Sequence, residues 1–301
     1  MAAPGRAPVH LNACSPIIFI YFCIMTDLRS GSFQELPVVV KNLIIINVIM
    51  VVLQYTLGTR GIMLADYLGL HYWSSPLFRW WQPFTHMFMH GDALDIEATL
   101  LHIVSNMFAL WMFGRILENM WGPQKFLIFY LICGLGAAIC HTGVLTWEFS
   151  RFHAAFMHFQ QNPTFEEFAA FVKTQNFNVN PKFMAAWATN DNCTYCVAEA
   201  IKGINERYIG MINEATVGAS GAVMGVLFAF GYLFPNAELM LIFPPIPVKA
   251  KYFVGFYALF ELYAGIKNSA GDNIAHFAHL GGMLFAFLLL RLWMDNRRRH
   301  F

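Results

Sequence analysis

The chain has 301 residues, of which 57% are hydrophobic and only 12% charged, where soluble domains carry roughly 25% charged residues. That excludes an ordinary soluble globule. With 19 Lys and Arg against 18 Asp and Glu, the net charge of +1 supplies no basic field for nucleic acid and no acidic tail. Lipid and protein are the expected partners.

In chain order, the first feature is the apolar run Pro16–Met25, too short to cross a hydrocarbon core, which takes about 20 apolar residues. Residues 1–34 are therefore expected to form a cytoplasmic or interfacial extension, with the compact core beginning near Phe33. Six longer runs qualify as spans, near 37–57, 98–117, 124–145, 216–234, 248–266 and 273–293. They predict an all-α, six-helix membrane domain over 35–295, followed by a basic tail at 296–301. Residues 58–97 hold Tyr67, Tyr72, Trp73, Phe78, Trp80, Trp81 and Phe84, a ring density suited to the headgroup region. Residues 146–215 mix polar runs with Phe165, Phe168 and Phe171 at helical spacing, which predicts an extramembrane, amphipathic helical insert.

Six spans put both termini on one side. With termini inside, the short inner segments carry eleven Lys and Arg and the short outer loops only Arg60, Arg79 and Lys267, so cytoplasmic termini are favoured. A bacterial inner membrane is the expected setting. Six cysteines, at 14, 23, 133, 140, 193 and 196, are too few and scattered for a disulfide scaffold. Cys193 and Cys196 read either as a local disulfide or as two uninvolved thiols, and Asn192-Cys193-Thr194 fits a glycosylation pattern.

Polar groups inside a span are costly unless paired or hydrated, so each is a candidate functional residue. They are His102 and Asn106 in the second span, Ser220 in the fourth, Glu261 in the fifth, and His276 and His279 in the sixth. Counted from the outer ends of their spans at about 1.5 Å per residue, Ser220, His279, His102 and Asn106 all fall roughly 6–12 Å below the outer surface. Gly218, Gly221 and Gly225 on one span and Gly281, Gly282 and Ala286 on another leave little side chain between them, the arrangement that lets helices touch. That approach predicts a Ser220–His279 dyad, because a serine hydroxyl needs a neighbouring base and neutral histidine is the usual one. The Ser220 N–H, His102 and Asn106 are then the available oxyanion donors. Glu261 is expected to hydrogen-bond neighbouring spans or the loop at 267–272 without taking part in catalysis, so no carboxylate-containing triad is predicted. His276 reads as a loop-facing or packing residue, and His86 and His90 as structural rather than metal-binding. No metal or organic cofactor is expected.

With Gly218-Ala219-Ser220-Gly221, Ala278-His279-Leu280-Gly281-Gly282 and His102-Ile-Val-Ser-Asn106 in these spans, the chain resembles the rhomboid intramembrane serine proteases over roughly 35–295, the insert excluded. The resemblance implies a six-helix bundle with an outward-opening cavity that cleaves transmembrane protein substrates near their outer ends. It implies Ser220 as nucleophile, His279 as base, and His102 and Asn106 as oxyanion donors with Gly218 in support. Ala286 stands where the family usually has glycine, Met224 where an aromatic residue commonly packs under the imidazole, Phe78-Arg79-Trp80-Trp81 shifts the family's Trp-Arg pair, and Asp92–Thr99 is longer than usual. The loop at 267–272 is the expected gate. The rival reading is a non-proteolytic relative that binds transmembrane clients.

Overall fold

Proline spacing sets several helix boundaries. A computed structural model of the protein describes residues 36–91, 95–190, 193–241, 245–267 and 275–298; the expected extension at 1–34, the gate at 268–272, the tail at 299–301, Asp92 and Asn192 lie outside these. Helix α1 (Val38–Gly58) starts directly after Pro37. Short helices α2 (Ala65–Leu68) and α3 (Gln82–Thr85) follow, and a 3-10 turn covers His86–Phe88. Helix α4 (Ile96–Ala109) is capped by the Asp95 carboxylate, which accepts from Ala98 N at 3.0 Å. It runs through a π-helical stretch, Leu110–Gly114, into α5 (Arg115–Trp121).

Helix α6 (Pro123–Gln161) is 39 residues long. No proline interrupts the sequence between Pro123 and Pro163, and the residue before a proline is pushed out of helical geometry. The expected span at 124–145 is therefore only the first part of this helix, and the predicted insert at 146–215 begins inside it. Helices α7 (Phe165–Thr174), α8 (Pro181–Ala188) and α9 (Thr194–Asn213) follow, then α10 (Ser220–Leu233). Strands β1 (Glu238–Met240) and β2 (Pro247–Lys249) pair antiparallel, with Leu239 opposite Val248. Helices α11 (Ala250–Lys267) and α12 (His276–Arg298) complete the described chain.

The chain divides into two compact units. The first comprises the chain up to Leu70, Arg79–His141 and the chain from Ala215 onward. Its core gathers Val40, Leu110, Leu117, Phe126, Phe129, Val226, Phe230 and Ala286. Inside this core the Glu118 carboxylate accepts from Val39 N at 2.9 Å and Val40 N at 2.8 Å. These are orphan N–H groups at the positive end of α1, and an anion there is favourable. Tyr252, Phe256, Leu259, Tyr263 and Ile266 make one face of α11 and are 63–71% exposed, an apolar stripe suited to lipid.

The second unit comprises His71–Phe78 and Thr142–Glu214. Phe152, Phe156, Phe159, Phe168, Phe171 and Trp187 form its own core. Thr164 Oγ1 caps α7 by accepting from Glu167 N at 3.3 Å, and Ser75 Oγ donates to Asn213 Oδ1 at 2.7 Å. Cys193 and Cys196 are disulfide-bonded, which resolves the alternative left open by their spacing.

Among the described residues, four helical segments are long and apolar enough to cross a membrane: Val38–Gly58, Ile96–Trp121, Pro123–Gln161 and His276–Met294. The protein is an integral, multi-pass membrane protein. The fourth predicted span, 216–234, is shortened: α10 has 14 residues, about 21 Å of helix. The backbone before it is committed elsewhere, since Leu70 and Thr216 exchange N–H···O bonds of 2.9 and 2.8 Å.

Candidate active site

The site residues belong to the first unit. Gly218 has φ +135°, a conformation that glycine alone adopts readily. Its N–H donates to His86 O at 3.0 Å. A Cβ at this position would stand 3.1 Å from both Cε1 and Nε2 of His102 and 3.4 Å from Ser220 Oγ. The absent side chain thus leaves a space shared by the serine hydroxyl and the His102 imidazole. Ser220 is the first residue of α10, half-buried, and opens on a small cavity lined also by His86, Thr216, Val217 and Ala278.

Glycines close the gap between helices. A Cβ on Gly282 of α12 would overlap the Gly221 carbonyl of α10, and one on Gly221 would meet Ala137 of α6 and approach Ala278 O at 3.4 Å. The residue after Ser220 therefore packs against the residue before His279. Gly225 continues the contact, its Cβ position lying 3.0 Å from Gly282 O and 2.7 Å from Cys133. Ala286 is fully buried and Met224 is half-buried against the same core. The participation of α6, through Cys133, Ala137 and Cys140, carries no signal in the sequence pattern.

The histidines form a neighbourhood larger than expected. His90 packs edge-on against His102, ring centroids 5.0 Å apart. Buried Gln54 holds it there, with Nε2 donating to His90 O at 3.1 Å and Oε1 accepting from His90 N at 2.9 Å. His141 Nε2 lies 2.8 Å from Thr216 Oγ1, and His102 and His141 both lie within electrostatic reach of His279. Burial lowers the His86 pKa to about 4, although its Nδ1–H donates to Gln82 O at 3.1 Å. His90 is also held well below the ordinary range, by burial first and the His102 charge second. Both loop imidazoles are neutral at pH 7.

One expectation is met and one needs correction. Glu261 is buried between two imidazoles: His276 Nδ1 lies 2.6 Å from its Oε2 and His279 Nδ1 lies 3.1 Å from its Oε1. The expected hydrogen bond from Glu261 to a neighbouring span is therefore present, to His276 of α12, and His276 is a buried polar partner rather than a loop-facing or packing residue. The available signal was Glu261 as the only acidic residue inside the six spans predicted from sequence, together with two histidines in the next span. Asn106 is buried with its Nδ2 donating to His102 O of its own helix at 3.0 Å.

A sequence model of the Rhomboid domain matches residues 77–150 and 183–295. The chain belongs to the rhomboid family. The match passes over 151–182, a narrower gap than the predicted insert at 146–215. Rhomboid protein 1, mitochondrial, from Saccharomyces cerevisiae is 28% identical over 239 residues, which cover 77% of this chain. The chain spans 62% of that relative's length. The relative's name is mitochondrial, so this comparison lends no support to a bacterial inner membrane.

Proposed function

We propose that this rhomboid-family protein is an intramembrane serine endopeptidase that hydrolyses peptide bonds in or next to transmembrane segments, with α10 and α11 completing a set of six spans. The observation that carries the reading is the Gly221–Gly282 contact, which joins the helix that begins at Ser220 to the helix that holds His279. Family membership supports the same reading.

In this mechanism Ser220 Oγ attacks the scissile carbonyl carbon as its proton passes to His279. The oxyanion is met by the Ser220 N–H at the N-terminus of α10 and by His102 across the gap left by Gly218. Asn106 joins them by turning its amide from the His102 carbonyl. The His279 proton then goes to the departing amine nitrogen, leaving an acyl-enzyme on Ser220. A water molecule, deprotonated by His279, releases the acyl group and restores the hydroxyl. Labelling of the purified, detergent-solubilised protein with a fluorophosphonate tests the proposal without a known substrate. Wild type is expected to label and both Ser220→Ala and His279→Ala to be silent. A folded wild type that neither labels nor cleaves transmembrane peptides in lipid would favour the client-binding alternative.

A further inference from the structure

The Ser220–His279 reading leaves unused a fully buried carboxylate on a third helix. Glu261 of α11 is 2% exposed, yet both its oxygens face imidazole Nδ1 atoms of α12, at 2.6 Å for His276 and 3.1 Å for His279. A charge buried at this depth is costly unless its partners hold it. We infer that Glu261 is the positioning residue of a Glu261–His279–Ser220 relay, with His276 fixing the far oxygen so that the near one stays aimed at His279.

Three observations carry this. First, His279 Nδ1 lies 3.1 Å from Oε1 in an ion-pair contact without an aligned hydrogen bond, and the electrostatic pull of a carboxylate at that distance favours the imidazole tautomer that carries its proton on Nδ1. The Nδ1–H tautomer of His279 follows, and its Nε2 lone pair is free to act as base. Second, the other groups that interact electrostatically with His279 among the described residues are imidazoles, His102 on α4 and His141 on α6. None of these supplies a negative charge, so Glu261 alone among the described residues near His279 stabilises the imidazolium formed when Ser220 loses its proton. Third, His276 Nδ1 reaches Oε2 at 2.6 Å, a short contact of the kind charge-assisted bonds make. It prevents the carboxylate from rotating away. In the reaction the proton moves from Ser220 Oγ to His279 Nε2 and on to the leaving amine, while the Nδ1 proton stays between His279 and Glu261 throughout. Glu261 remains ionised and forms no bond to substrate.

The inference rests on the proposed Ser220–His279 chemistry, and the test separates the two. Fluorophosphonate labelling rates are measured across reagent concentrations for wild type, Ser220→Ala and Glu261→Gln, with thermal unfolding recorded for each. Glu261→Gln is expected to keep reagent affinity and to lose up to roughly 10⁴-fold in the maximal labelling rate, the loss seen when the orienting carboxylate of a serine triad is neutralised. A folded Glu261→Gln that labels at the wild-type maximal rate overturns the relay while leaving the dyad intact. Absence of Ser220-dependent labelling in wild type overturns the dyad and the relay together. If Glu261→Gln does not fold, imidazole proton NMR of wild type against His279→Ala decides the matter. A far-downfield Nδ1 proton that disappears in His279→Ala is expected; a spectrum without one overturns the relay.

Discussion

Replacing Gly282 by alanine perturbs the contact that joins the two halves of the proposed dyad. The new Cβ would overlap the Gly221 carbonyl oxygen and lie 2.7 Å from its carbon and 3.3 Å from Gly221 Cα. Restoring ordinary carbon contact at about 3.5 Å requires the helices to part by at least ~0.8 Å. The obstacle is backbone, which cannot rotate away, so the cost belongs near the upper end of the overpacking range, about 3 kcal/mol. Higher helix propensity returns about 1 kcal/mol, leaving a net loss of about 2 kcal/mol. A shift approaching 1 Å at a reacting pair costs on the order of 10²-fold in rate. Gly255 of α11 is the matched control, because a Cβ there meets nothing within 4 Å, and Gly255→Ala should be neutral or stabilising by up to about 1 kcal/mol. Thermal unfolding in detergent and fluorophosphonate labelling read the two effects. Unchanged unfolding and labelling in Gly282→Ala would falsify the claim that this contact holds the site together.

Glu118→Gln should lower stability by about 1–3 kcal/mol, since it weakens two charge-assisted bonds to the start of α1 at 2.9 and 2.8 Å; a variant with wild-type unfolding contradicts the capping role. Gln54→Leu strands both the N–H and the C=O of His90 and is expected to cost about 2–4 kcal/mol and slow labelling through His102, which a wild-type labelling rate would rule out. The His86 imidazole, with its pKa lowered from 6.5 to about 4, stays neutral when folded but gains a proton when unfolded. Its contribution is therefore full above about pH 6.5 and is lost as pH falls toward 4, a change of about 3 kcal/mol. Unfolding followed from pH 7 to 4 should show that loss in wild type and a shallower one in His86→Gln; equal slopes would exclude His86 as its source. Phe168→Ala removes a fully buried ring from the second unit and should cost about 3–5 kcal/mol there, read as faster proteolysis within 142–214, and unaltered cleavage would count against an independent core.

The sequence by itself determined the membrane class, the apolar runs behind the helices, and the polar residues that chemistry has to explain. Those readings depend on composition and on periodicities within one element, which a local window captures. Pro123 and Pro163 likewise bound α6, although the expected boundary at 145 missed that no residue between them stops a helix. What only the tertiary structure decided are pairings between distant elements: Glu118 with the start of α1, Gln54 with His90, His141 with Thr216, and Glu261 with both α12 histidines. Sequence pattern marked Glu261 as a buried charge and the glycines as surfaces of close approach. A buried face can be satisfied by many partners, and which one it meets is set by how neighbouring helices cross and how near their backbones come. Here that distance follows from Gly221 against Gly282.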